Sequence, residues 1–154
     1  MVEVLVALVV MSVGMLGIAA LYVTTLQAKT TSLSRMQAVN LAHDMADRIR
    51  ANPNTTAASN YTFTESSTAT ATPGVLCVNN TTTAPSANCT ADQLATYELF
   101  QWSNLALNTL PGTVKRSIAT TEATPTTPAI YLITLKWTEP NTSGELTYAL
   151  QVQI

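Results

Sequence analysis

Few side chains in this sequence belong to the types that do chemistry, and their spacing mostly excludes it. The single histidine, His43, has no cysteine near it in sequence and reads as a surface or packing residue. Asp44 and Asp47 stand one helical turn apart, but Arg48 follows Asp44 by four residues. On a helix that spacing makes a weak surface ion pair rather than a pair of catalytic carboxylates. No Gly-rich phosphate loop, no Gly-x-Ser-x-Gly and no metal-ligand spacing occurs. The expectation is a chain that is not an enzyme and carries no catalytic residue, metal or cofactor.

Two features remain that could act. Cys77 and Cys89 lie in a Thr/Asn-rich stretch with no histidine nearby, where a metal would require a closer pair or further ligands. The favoured reading is a disulfide formed in an oxidising compartment; two separate buried thiols are the alternative. The other feature is Glu3. It stands at the entrance of a run, Val4 to Ala28, that contains no charged residue. A carboxylate left alone in hydrocarbon costs several kcal/mol, roughly. It is tolerable at a membrane interface, or where a cation comes to meet it.

The elements that position these residues follow from the apolar pattern. The uncharged run exceeds the roughly 20 residues needed to span a bilayer. It lacks the basic start and small-residue cleavage site of a secretory signal. The helical pattern then continues to Asn52 with a different character. Leu26, Leu33, Met36, Val39, Ala42, Ala46 and Ile49 recur at steps of three, four or seven, which predicts one apolar stripe. Arg48 and Arg50 near the end complement the helix dipole, and Pro53 marks the stop. The prediction is one helix of about 50 residues, about 75 Å long at 1.5 Å per residue. Residues 1–28 would be its apolar transmembrane half, suited to lipid or to other helices of its kind. Residues 29–52 would be an amphipathic half belonging to a periplasmic globular domain, 29–154.

Residues 54–90 are poor in large apolar side chains and predict loop with one or two short strands. Thr90 to about Asn108 predicts a second helix, because Thr90 and Gln93 have capping-box spacing and Leu94, Ala95, Leu99, Trp102, Leu105 and Ala106 form an apolar face. Trp102 is expected to anchor the core. Leu110-Pro111-Gly112 ends this helix, and the period then changes to two. Val114 to Thr120 is a strand. Tyr131, Ile133, Leu135 and Trp137 share one face of the next strand, and Tyr148, Leu150, Val152 and Ile154 one face of the last. These make an antiparallel hairpin with one buried face. The fold class is α+β, a small antiparallel sheet and a short helix laid on a long helix. Only 10% of residues are charged and the net charge is −2, which argues against nucleic acid as a direct partner.

MVEVLVALVVMSVGMLGIAALY resembles the start of a mature type IV pilin or type II secretion pseudopilin, with Met1, Val2 and Glu3 on the family's Leu-Val-Glu. Three later stretches are similar to PilV-type minor pilins in particular: LAHDMADRIRANP (41–53), CTADQLATYELFQWSNLALNTLPG (89–112) and YLITLKWTE (131–139). The resemblance implies a long helix packed on a small sheet. It also implies a leader ending in Gly, ahead of this sequence, that prepilin peptidase removes from the full-length precursor before methylating the new N-terminal Phe. It further implies that Glu3 meets an N-terminal amine, its own or a neighbour's, and so sets subunit register. Expected partners are other minor pilins, the major pilin, the inner-membrane assembly platform and, before assembly, the lipid bilayer. The expected location is the inner membrane with a periplasmic domain, then the pilus on the cell surface, in fibres of the kind that serve adhesion and twitching motility. The implied function is a minor pilin that joins others to prime assembly and sits at or near the fibre tip. An I-type minor pseudopilin of a type II secretion system is the alternative within the superfamily. A membrane-anchored adhesin using its Thr-rich loops is the alternative outside it.

Overall fold

A computed structural model describes residues 2–53, 58–77, 89–140 and 142–154. The long helix α1 runs Val2–Ala51. Two compact units divide the chain, Met1–Arg35 and Met36–Ile154.

The first unit consists of α1 residues. From Val2 to Val23 its large apolar side chains are all between 53% and 73% exposed. Its most apolar window has a mean hydropathy of 2.7, and the helix is long and apolar enough to cross a membrane. The serine and threonine hydroxyls within the apolar run are satisfied by the helix itself. Ser12 donates to the Val9 carbonyl at 2.8 Å, and Thr24 and Thr25 both donate to the Leu21 carbonyl at 2.9 Å. Such back-bonding lets a polar side chain sit in an apolar medium without an orphaned group.

The second unit combines the remainder of α1 with a 3-10 turn at Ala58–Tyr61, strand β1 (Phe63–Ser66), helix α2 (Ala91–Thr109) and strands β2 (Lys115–Thr121), β3 (Ile130–Thr138) and β4 (Glu145–Gln153). The four strands form one antiparallel sheet in the order β1-β2-β3-β4. β1 is the short strand expected between residues 54 and 90; Val75 to Cys77 is irregular, and Val78 lies outside the described residues. The capping box of α2 is formed. Thr90 accepts from the Gln93 backbone N–H, and the Gln93 side chain accepts from the Thr90 N–H. Gly112 follows with φ +69°, where a Cβ would overlap Thr138, so only glycine fits the turn into β2.

The core lies between α2, the apolar face of the sheet and the later turns of α1. Tyr131, Ile133, Leu135 and Trp137 of β3 are buried, as their alternation predicts. In β4 the matching face is Leu146, Tyr148, Leu150 and Val152, whereas Ile154 stays 40% exposed beyond the strand end. Trp102 is wholly buried, and its indole N–H donates to the Leu41 carbonyl of α1 at 2.9 Å. The predicted stripe is buried in its later part, at Ala42, Ala46 and Ile49, but not at its start, and residues of the adjoining stripe join it inside. Ala38, Leu41, Ala42, Met45, Ala46 and Ile49 are buried, while Leu26, Leu33 and Met36 are exposed. Two apolar stripes adjoin on this helix. The one inside carries three alanines, Ala38, Ala42 and Ala46. Leu105 of α2, expected inside, is likewise 45% exposed.

Candidate functional site

Glu3 is exposed in the first turn of α1, and no ion pair holds it within the described residues. A carboxylate there is favoured by the helix dipole and by the unpaired N–H groups of the first turn. Immediately beyond it the apolar surface begins and extends around the whole helix, since Val4, Leu5, Val6, Leu8, Val9, Val10 and Met11, which span every face of two turns, are all exposed. Apolar side chains on all sides suit lipid or other apolar helices.

The other predicted residues are separate from Glu3. Cys77 and Cys89 are joined, with a Cα–Cα distance of 5.8 Å. His43 is exposed on α1. Arg48 meets Asp44 at 2.9 Å and also donates to the Gln101 side chain of α2 at 3.2 Å, so it helps to hold α2 against α1. Asp47 pairs instead with Arg50. A shallow cleft of ≈ 330 Å³ runs along these two helices, lined by Gln37, Asn40, Leu41, Asp44, Leu105 and Thr109 among others. Its only charged groups, Asp44 and Arg48, are already engaged with each other. Among the described residues, no three His, Cys, Asp or Glu side chains converge as a metal site would need.

Two buried polar groupings were not anticipated. Asn52 donates to the Tyr61 hydroxyl at 2.9 Å and to the Ala91 carbonyl at 2.8 Å, and Tyr61 donates to Glu98 at 2.5 Å. This chain ties the end of α1, the 3-10 turn and α2 together. Burial raises the Glu98 carboxyl above its usual range, partly offset by the Tyr61 hydroxyl; burial likewise holds the Tyr61 hydroxyl well above its own. Arg116 is 0% exposed and donates to the Ser66 and Thr68 carbonyls at 2.9 and 2.6 Å, with the Phe63 ring 5.5 Å away. It fastens the segment after β1 to the sheet without a carboxylate partner, and burial lowers its affinity for its proton. Parity carried a signal here. Val114, Arg116 and Ile118 alternate on one face, so the arginine had to point inward with its neighbours.

A family model described as type IV pilin Tt1218 (Tt1218-like) matches residues 20–100, more than half of the chain. No curated protein matches it, and neither does any solved structure.

Proposed function

The chain belongs to the Tt1218-like type IV pilin family, and from that premise we propose that it is a minor pilin, of the kind resembling PilV, that joins other minor pilins to prime fibre assembly and stays at or near the tip. The observation that carries this reading is the first half of α1: apolar and exposed on every side, with one acid at its head. Before assembly that half lies in the inner membrane, with the second unit in the periplasm. After assembly it packs among the same segments of neighbouring subunits.

Glu3 gives the transfer its register. Within a bundle of apolar helices the effective dielectric is low, and an acid without a cation is costly. An N-terminal amine, from the processed subunit itself or from its neighbour, removes that cost at one axial position only. A subunit displaced along the bundle leaves both charges unpaired. The partners are other minor pilins, the major pilin and the inner-membrane platform that moves subunits out of the bilayer. Prepilin peptidase acts on the full-length precursor. The chemistry throughout is non-covalent, as befits a structural family.

The test is Glu3→Ala in the full-length precursor. The variant should insert into the membrane as the parent does, because removing a charge only eases insertion. Its share in sheared pili, read by immunoblot, should fall sharply. Incorporation equal to that of the parent would refute the register role.

A further inference from the structure

The sheet has two edges of very different character. β1 has four residues and an irregular register against β2, and its Glu65 pairs with Lys136. Arg116 ties down the segment that follows it. Short length, irregularity and charge are the usual means by which an edge avoids further pairing. β4 has none of them. It is nine residues long, pairs with β3 without a break in register, and contains no Pro, Lys or Arg. Its one charged residue, Glu145, is engaged with Lys115 of β2 at 2.9 Å.

The register shows which backbone groups of β4 are open. Ile154 and Ala129 exchange both hydrogen bonds at 3.0 Å, so they are a hydrogen-bonded pair. The pairing then proceeds without interruption from Ile130↔Gln153 to Thr138↔Glu145. Hydrogen-bonded pairs alternate along an antiparallel ladder. Val152, Leu150, Tyr148 and Leu146 therefore direct their N–H and C=O groups at β3. Glu145, Thr147, Ala149, Gln151 and Gln153 direct theirs at the open edge, and none of those groups has a bonded partner among the described residues.

We propose that this edge pairs with the β4 edge of a second copy of the chain, antiparallel and centred on Ala149, to make one continuous eight-stranded sheet across a dimer. The sequence of β4 is complementary to itself in that arrangement. Ala149 faces Ala149, while Thr147 faces Gln151 and Glu145 faces Gln153, so polar meets polar on either side of a small central pair and no charge opposes its like. On the other face Tyr148 meets Leu150 and Leu146 meets Val152. Three of these four are only part-buried in the single chain and gain cover from the partner. Every open N–H then finds a C=O, because the same residues are open on both copies. Parallel in-register pairing would instead set Glu145 beside Glu145. Dimerisation through β4 is independent of Glu3 and of entry into a fibre.

The experiment uses the full chain in non-ionic detergent micelles. Cys77 and Cys89 are bonded to each other, so an added cysteine reports alone. Opposed hydrogen-bonded residues lie ~5.5 Å apart at Cα, inside the ~4.4–6.8 Å that a disulfide spans. Ala149→Cys should give a covalent dimer on mild oxidation or with a short bis-maleimide. Ser143→Cys, which antiparallel pairing holds far from its copy, should not. Thr147→Lys with Gln151→Lys opposes like charges at two places and should reduce the Ala149→Cys cross-link about tenfold. Thr147→Lys with Gln151→Glu opposes unlike charges and should retain it. Near-UV circular dichroism identical to that of the parent checks that each variant is folded. Cross-linking that is equal at positions 143 and 149, or unaffected by the charge pairs, overturns the proposal, since association would then run through the apolar helix. In cells, capture of a different pilin in place of a second copy also overturns it.

Discussion

Truncating Trp102 should cost this protein much of the stability of its second unit, and the structure fixes the scale. The side chain is 0% exposed, meets the Phe63 ring edge-on at a centroid distance of 6.5 Å, and donates to the Leu41 carbonyl. Trp102→Ala removes all of these and leaves a cavity, a change that costs about 3–5 kcal/mol in close-packed cores. Trp102→Phe retains most of the ring but loses the hydrogen bond and some volume, about 1–2 kcal/mol together. Against a typical total of ~5–15 kcal/mol, the first is a major loss and the second a moderate one. With a urea dependence of ~1.5 kcal/mol per molar, the midpoints should fall by about 2–3 M and about 1 M. The assay is urea titration of the full chain in non-ionic detergent. Trp137 serves as the fluorescent reporter, since it is 3% exposed and remains in both variants. If Trp102→Ala moves the midpoint no further than an exposed control such as Asp47→Asn, the core is not centred on this indole and the packing of α2 on α1 described above is wrong.

The same titration can probe α1 directly. Ile49→Asp should abolish a cooperative transition. It forfeits about 1.5–3 kcal/mol of apolar burial and adds an unpaired buried charge; a midpoint near the parent's would show that this face of α1 is not covered. For Cys77 and Cys89, intact mass of non-reduced material should show one internal disulfide. Replacing both by Ser should cost about 3 kcal/mol in the loop-closure account; two freely alkylated thiols in native material would contradict the bond. Glu98 gives a pH signature of defined sign. Its folded-state pKa is raised, so the folded chain holds that proton to higher pH than the unfolded chain does. Its contribution is fully present below the unfolded value of about 4.3 and is lost as pH rises through the higher folded value. Glu98→Gln retains an acceptor for Tyr61 and should gain on the parent as pH rises from about 4 to about 7; a difference independent of pH would remove Glu98 as its source.

Much of this molecule is written in short-range patterns. The bounds of α1 follow from its periodicity and from Pro53, and the start of α2 from the Thr90–Gln93 capping box. The β3–β4 hairpin follows from strict alternation. Each of these depends on residues within a turn or two of one another, so the local sequence carries the whole instruction. Glu3 and the uncharged run behind it were equally legible, because the cost of a charge in an apolar medium needs no tertiary partner to be recognised.

What the sequence left undecided are choices between comparable local options that distant residues settle. Two apolar stripes adjoin on α1, and hydrophobicity ranks the one with Leu33 and Met36 at least as high. The structure buries Ala38, Leu41 and Met45 together with Ala42, Ala46 and Ile49, in one core with side chains of α2 and the sheet. β1 has little alternation of its own and is a strand because the edge of β2 recruits it. Tyr61 and Glu98 could both have faced water on local grounds, and parity pointed Arg116 inward without showing what would satisfy it. They lie inside because Ser66 and Thr68, Asn52 and the turn at Ala58–Tyr61 come from far along the chain to satisfy them. Periodicity specifies that an element has an inner face; only the partners that arrive there determine which face it is and which polar groups it can hold.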